Sequence, residues 1–353
     1  MAGRLDRSGT PVRRPLSASA TQAWHSWSVQ RWDDLGAVPA GFGPSAVTIG
    51  NFDGVHRGHH AVLHLLVDRA RSDGLQAVAI TFEPHPLAVL HPERAPVPLT
   101  TTEHKLELLA AEGLDAVLVM PFTRELALWT PRRFVAEVLV DGLGAKAVVV
   151  GGDTRFGHRN SGDVSTLREL GGELGFSVDV VADLGRAADG ERRWSSTYVR
   201  ELVLAGDVDG AAAVLGRPHR VTGEVVHGDH RGRELGFPTA NLSPSAVGAV
   251  PSDGVYAGWL IRLAEPDRPT MPAAISVGTN PTFHGTRRRV EAYVLDRDDL
   301  DLYGEIVAVE FVRRLRPTLT FSGVEELVAR MAADVEECRE VLGVAPPSRT
   351  PSS

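Results

Sequence analysis

His56 and His59 stand three residues apart in Asn51-Phe52-Asp53-Gly54-Val55-His56-Arg57-Gly58-His59. The apolar run Val47-Thr48-Ile49 before them ends in Gly50, the pattern of a buried strand entering a tight turn. Beyond them, Val62, Leu65 and Leu66 recur at helical spacing, and Gly74 stands where a helix C-cap is wanted. Strand, glycine-rich turn and helix in that order aim free N–H groups and the positive end of a helix dipole above the strand's C-terminal end. Such a place suits an anion, and usually a phosphate. Gly58 carries no side chain, so both imidazoles can face that anion as hydrogen-bond donors. Either histidine alone reads as an ordinary helix-start residue; together with the glycines they serve one mechanism.

Further residues of the same kind follow. His85 comes directly after the apolar run Ala77–Phe82. Gly151-Gly152-Asp153-Thr154-Arg155-Phe156-Gly157-His158-Arg159 follows the run Ala145–Val150, with glycines for close backbone approach and Arg155 and Arg159 for positive charge. Ser195-Ser196-Thr197-Tyr198-Val199-Arg200 reads as an N-cap and also as a hydroxyl-rich, cationic phosphate clamp. Later, Gly228-Asp229-His230-Arg231-Gly232-Arg233-Glu234-Leu235-Gly236-Phe237-Pro238-Thr239-Ala240-Asn241 reads as a cationic flap leading into a rigid Pro-Thr-Ala-Asn turn. The hydroxyl of Thr239 and the carboxamide of Asn241 are oxygen donors of the kind that suits Mg2+. Glu291 alternates with Val290, Ala292 and Val294, so it lies on the strand face opposite that small apolar set.

The elements that must position these residues fall into two patterns. Up to Gly151 the apolar runs Val47–Ile49, Ala77–Phe82, Ala116–Met120 and Ala145–Val150 alternate with helical segments such as Thr102–Glu112 and Pro131–Gly142. That is an α/β pattern: a parallel sheet covered on both faces, with ligands at the strands' C-terminal ends. A helical connector ends at Gly216 and Pro218. Beyond it come short strands, Val221–Val226, Gly254–Leu260, Ala273–Val277, Val290–Leu295 and Ile306–Val312, with a further turn at Gly278-Thr279-Asn280-Pro281-Thr282-Phe283. No helix separates them, which predicts an antiparallel all-β barrel. A capping box at Ser322-Gly323-Val324-Glu325 opens a last helix, whose stripe Val324, Leu327, Val328, Met331, Val335, Cys338 and Leu342 is apolar. Cys338 reads there as core.

The stretch Asn51 to His59 resembles the HxGH motif of the nucleotidyltransferases. With its Asn-Phe-Asp-Gly prefix it is most similar to the prokaryotic bifunctional riboflavin kinase/FMN adenylyltransferase family. The resemblance extends from about Val29 to Gly343 and includes the Gly-Phe-Pro-Thr-Ala-Asn stretch and the Gly278–Phe283 turn. One departure stands at Thr154, where the family usually has Phe. What the resemblance implies is a Rossmann-like nucleotidyltransferase domain followed by a β-barrel riboflavin kinase domain. It implies catalytic roles for His56 and His59, and ATP contacts for Gly50, Phe52, Asp53, Gly58, Asp153, Ser195, Ser196, Thr197 and Arg200, the serine segment being a loop that closes on phosphates. It implies flavin contacts for His85, Phe156 and Arg159. For the kinase it implies ATP contacts for Gly232, Arg233, Gly236, Pro238, Thr239 and Asn241, with Thr239 and Asn241 also holding Mg2+. Glu291 becomes the general base for the ribityl 5′-hydroxyl. Riboflavin, FMN and FAD are then substrates and products, and ATP the co-substrate.

Composition bounds the alternatives. The 353 residues suffice for two domains plus tails, divided here as an extension 1–25, an adenylyltransferase domain 26–215, a kinase domain 216–345 and a tail 346–353. The first 25 residues hold Arg, Ser, Ala and Pro without a hydrophobic secretion core, and both termini read as disordered. A net charge of −8 disfavours a nucleic-acid partner. One cysteine excludes an internal disulfide and suits a reducing cytosol. No apolar run approaches the roughly 20 residues that span a bilayer. The expectation is a cytoplasmic monomer or weak homo-oligomer acting on small molecules. The rivals are a paralogue with only the kinase module active and a flavin-binding regulator.

Overall fold

The structure is a computed structural model and describes residues 29–181, 192–228, 235–282 and 285–346, with backbone only at 280–282 and 285–287. The expected tails at 1–25 and 347–353, and Arg231, Gly232 and Arg233 of the cationic flap, lie outside the described residues.

The first part alternates strands and helices: β1 (Gln30–Trp32), β2 (Ser45–Ile49), α1 (Arg57–Asp73), β3 (Gln76–Glu83), α2 (Pro86–Leu90), α3 (Thr102–Ala111), β4 (Ala116–Pro121), α4 (Pro131–Phe134), β5 (Ala145–Gly151), α5 (Val164–Leu174) and β6 (Ser177–Val181). The strands form one parallel sheet in the order β1-β4-β3-β2-β5-β6. Its two faces fill separate cores. Val47, Val78, Ile80, Leu118 and Val148 bury on one side, and Ala46, Ala77, Ala79, Val117 and Val149 on the other. Continuous apolar strands are the signature of such burial on both faces. The order reverses at β2, so the crevice above the C-terminal ends of β2, β3 and β5 is where ligands bind. The helix expected over Pro131–Gly142 is α-helical only to Phe134; Val135–Gly142 continues as a π-helix. The wider winding keeps Val135, Val138, Leu139 and Leu143 all in the core.

Two short helices, α6 (Ser196–Ala205) and α7 (Val208–Leu215), lead to the second part. There β7 (His219–Val226), β8 (Thr239–Leu242), β9 (Gly254–Arg262), β10 (Thr270–Thr282), β11 (Gly285–Val294) and β12 (Ile306–Arg316) close a barrel, joined antiparallel in the order β10-β11-β8-β7-β12-β9. Two expected turns are strands. Thr239-Ala240-Asn241 belongs to β8, and Gly278–Thr282 is the end of β10, because the ladder with β11 continues out to Thr282 opposite Gly285.

The last helix, α8 (Val324–Leu342), corrects the expected capping box. Its N-cap is Gly323, so Glu326 rather than Glu325 reaches back, accepting from the Ser322 N–H at 3.0 Å and its hydroxyl at 2.7 Å. The reciprocal side-chain bond is missing because glycine has none to offer. The apolar stripe packs only toward its C-terminal half: Val324 is 62% exposed, whereas Cys338 is fully buried and donates to the Ala273 carbonyl at 3.2 Å. Burial pushes the Cys338 thiol up to about 11, which leaves it an inert core residue. No helix among the described residues is long and apolar enough to cross a membrane.

Candidate functional site

The turn between β2 and α1 holds three residues at positive φ: Phe52 at 48°, Gly54 at 81° and Val55 at 36°. Such angles are costly for a bulky or β-branched residue and persist only where packing over-determines them. Here the Phe52 ring and Val55 are buried at 2% and 0% exposure, and a Cβ on Gly54 would come within 2.8 Å of Leu99. From the other side Arg217 donates to the carbonyls of Gly54 at 2.5 Å and Val55 at 3.0 Å. The loop is therefore clamped in a shape its own residues resist.

That shape fixes the histidine pair. His56 is the N-cap of α1; its Nδ1 accepts from the His59 N–H, and the Nδ1 of His59 accepts from the His56 N–H, both at 3.3 Å. It is a capping box built from two imidazoles. The rings stack at 3.7 Å between centroids, and Phe52 meets His59 edge-on at 5.2 Å. Burial, with neighbouring His60 and Arg217, lowers His56 to about 4, and burial first, then His56, holds His59 well below its usual range. Both rings are neutral near pH 7. With each Nδ1 occupied as an acceptor, each Nε2 carries the hydrogen. The pair thus presents two N–H donors of fixed tautomer beside the unpaired first N–H groups of α1.

Asp53 organises the neighbouring segment. Its carboxylate accepts from the N–H of Leu99 at 3.0 Å and of Thr100 at 3.2 Å and pairs with Arg200, both partners 13% exposed. Arg200 also donates to the Val97 carbonyl at 2.7 Å. Ser195 caps α6 by accepting from the Tyr198 N–H at 3.1 Å, Ser196 donates to the Asp53 carbonyl at 2.8 Å, and Thr197 is exposed. Ser195, Ser196 and Arg200 already have protein partners in this conformation. Gly50 lies beneath the Phe52 ring, which a Cβ would approach to 3.0 Å, and Gly58 is buried in the first turn of α1. Asp153 is exposed, 3.5 Å from Arg193, and contributes to the electrostatics at His56.

A groove of about 920 Å³ opens over the ends of β2 and β3, with neither His56 nor His59 in its lining. His85, Phe156 and Arg159 all line it, as do Asn51, Phe82 and Trp129. His85 caps α2, its Nδ1 accepting from the Leu87 N–H at 3.2 Å. Its Nε2 lies 3.3 Å from the Nδ2 of Asn51. Phe156 is held by a bridge to Gly162, where a Cβ would strike the ring at 2.8 Å.

In the barrel, Glu291 stands directly opposite Asn241 in the ladder, and Tyr293 opposite Thr239. The four share one face, while Ala240, Leu242, Ala292 and Val294 fill the barrel interior. The Asn241 Nδ2 donates to the carbonyl and hydroxyl of Thr239, each at 3.3 Å. A Cβ on Gly228 would come within 2.5 Å of Asn241. A cavity lined by Pro238, Thr239, Asn241, Arg297 and Tyr303 adjoins them. Gly236 is exposed at a φ of 85° just before this strand. Thr239 and Asn241 offer the hard oxygen donors that Mg2+ requires.

Asn51, the groove aromatics Phe82, Phe122 and Trp129, and Arg217 escaped the sequence reading. The aromatics look like core when read by periodicity. Arg217 carries no local signal for this role, because the Gly54 and Val55 carbonyls it clamps lie more than 160 positions earlier.

The FAD synthetase family model matches residues 40–198, and the riboflavin kinase model matches residues 215–342. The bifunctional riboflavin kinase/FMN adenylyltransferase of Escherichia coli K12 is 38% identical over 302 residues, covering 86% of this chain and 94% of that protein. That of Listeria monocytogenes serovar 1/2a is 35% identical over 317 residues, covering 89% and 95%. A Streptococcus pneumoniae structure, described as a macrolide-efflux protein, superposes with a TM-score of 0.77 at 31% identity over 88% of this chain and 98% of that one. A parallel-sheet module and a barrel module, each matched by its own family model and both matched together in relatives of nearly full length, carry one conclusion: the chain belongs to the bifunctional riboflavin kinase/FMN adenylyltransferase family.

Proposed function

We propose that the two reactions of this family are divided between the two sites, with FMN made at the barrel and converted to FAD above the sheet. The domain division is near Gly216, with adenylylation in 26–215 and phosphorylation in 216–345.

In the sheet site the flavin ring occupies the groove between Phe82, Trp129 and Phe156, with His85 and Arg159 at its polar rim. The FMN phosphate attacks the α-phosphorus of ATP in line, the bond to the bridging oxygen breaks, and pyrophosphate leaves. Such a transfer needs positioning and charge neutralisation rather than a covalent intermediate. The Nε2–H groups of His56 and His59 donate to the non-bridging oxygens as negative charge accumulates. Gly50, Phe52 and Gly58 keep the backbone close to the nucleotide; Asp153 stands at the rim, and Arg200 with Ser195, Ser196 and Thr197 forms a segment that re-pairs from Asp53 to phosphate. The single observation supporting this reading is the reciprocal Nδ1 capping of the two rings, which leaves each Nε2–H outside the cap.

In the barrel site Glu291 takes the proton of the ribityl 5′-hydroxyl, whose oxygen then attacks the γ-phosphorus of a second ATP. Thr239 and Asn241 hold Mg2+, which when bound neutralises phosphate charge. Gly232, Arg233, Gly236 and Pro238 contact that nucleotide. The protein acts on small molecules in the cytoplasm as a monomer or weak homo-oligomer, without a nucleic-acid partner.

The test is incubation with riboflavin, ATP and Mg2+ followed by chromatographic separation of the flavins. FMN appearing first and FAD after it is expected; FMN accumulating without FAD, or no turnover of riboflavin, overturns the division.

A further inference from the structure

One cluster lies outside both sites. His60 and His64 sit one turn apart on α1, and Glu112, the C-cap of α3, reaches between them. Glu112 Oε1 is 2.6 Å from His60 Nδ1, and Oε2 is 3.1 Å from His64 Nε2. The three ligand atoms all lie within 4.8 Å of one another. The Glu112 side chain is only 8% exposed, and its buried Oε2 makes no hydrogen bond. A carboxylate oxygen buried without a donor carries an unmet electrostatic demand, and a histidine nitrogen near it but misaligned does not meet it.

We propose that His60, His64 and Glu112 form a binding site for a divalent transition-metal ion such as Zn2+. Three observations converge on a cation of this class. The donor set is two imidazoles and one carboxylate, which suits Zn2+, Co2+ or Ni2+ and poorly suits Mg2+, an ion that prefers oxygen throughout. The spacing is nearly preformed: ligand atoms around a tetrahedral ion at about 2.1 Å stand about 3.4 Å apart, so side-chain adjustments of about an ångström admit it. The field also favours positive charge, because Glu112 closes the C-terminal end of α3, where the helix carbonyls add negative potential. His64 is 71% exposed, which gives the ion an entry path and leaves a coordination position to water. The ion would tie α1, the helix whose first turn carries His56 and His59, to the end of α3.

The experiment is calorimetric titration of the full chain, stripped with chelator and free of nucleotide, with ZnCl2 alone, repeated with Co2+ followed by its visible absorption. One tight equivalent with tetrahedral cobalt bands is expected. His64→Ala, at an exposed position that leaves the fold alone, and Glu112→Gln each weaken that equivalent by more than about 100-fold, beyond the upper end for loss of a mere outer-shell partner. Zn2+ also raises the melting temperature of the unsubstituted protein and leaves that of His64→Ala unchanged. No tight equivalent in the unsubstituted protein, or the same isotherm and bands in His64→Ala, overturns the proposal.

Discussion

The two sites hold their chemical groups by different means. Above the sheet, the histidines are positioned by hydrogen bonds that they themselves make to the first turn of α1. In the barrel, Glu291, Thr239 and Asn241 are positioned by ladder register, and the Asn241 amide also bonds back to Thr239. Function and structure are therefore fused in one site and separable in the other. A cap that doubles as a donor cannot be removed without loosening the helix; a strand side chain can be altered while the ladder stays.

The largest effect expected is at the separable site. Glu291→Gln keeps the shape and removes the base, so riboflavin phosphorylation should fall by about 10²–10⁴-fold. Adenylylation of supplied FMN should be untouched, and the unfolding free energy should stay within about 0.5 kcal/mol of the parent. Chromatography of the flavins and a thermal melt read both at once. Loss of FAD formation in this variant would break the contrast.

His59→Ala is next. Removing one donor to the developing charge should lower FAD formation by about 10²–10³-fold with FMN formation intact. Here the unfolding free energy should fall too, by about 1 kcal/mol, because the N–H of His56 loses its capping partner. A variant inactive in adenylylation but as stable as the parent would mean that the cap contributes nothing to the fold, and the two sites would then be alike.

Asp53→Asn probes how far the fusion extends. The amide oxygen can still accept from Leu99 and Thr100, but Arg200 loses its countercharge in a half-buried place. Breaking such a pair costs about 3 kcal/mol when the partner stays buried. The expected outcome is a lower melting temperature together with freer proteolysis around Ser195–Arg200, measured on the full chain. Barrel phosphorylation should persist.

The same contrast explains what could be read from the sequence. The histidine site was legible because a cap is local: Gly50 to His59 and the helical spacing beyond it lie in one stretch. Alternation of apolar runs with helices likewise disclosed the parallel sheet, and closely spaced strands the barrel. The barrel site is a matter of register between residues 50 positions apart, which spacing alone does not give; there the Pro-Thr-Ala-Asn stretch passed for a turn although it is strand β8. Prolines at positions 238 and 281 invite that reading, yet the ladder continues beside both. Partners brought from far away, such as Arg217 on the Gly54 carbonyl, leave no trace in local pattern. The capping box slipped by one residue at Ser322 for the opposite reason, since a local signature cannot say which of two adjacent residues ends the loop.

The last effect is spread over pH. His56 is lowered to about 4 by burial, and His219, buried and 2.7 Å from the Ala249 carbonyl, also to about 4. An unfolded chain protonates both histidines near pH 6.5, so below that value it binds protons that the folded chain refuses. Stability is then unaffected above about pH 6.5 and falls as the pH drops toward about 4, by about 1.4 kcal/mol per unit for each histidine. His219→Gln should halve the slope shared by these two and leave adenylylation as it was, whereas His56→Gln should halve it and cost adenylylation. Denaturant melts between pH 4 and 7 measure the slope. Catalysis gives the complementary reading: because the pair stays neutral, the rate of FAD formation should show no histidine limb near pH 6.5. A limb there would mean that one ring of the stacked pair titrates as an ordinary exposed imidazole, and the fixed Nε2–H donors would be lost as an account of the first site.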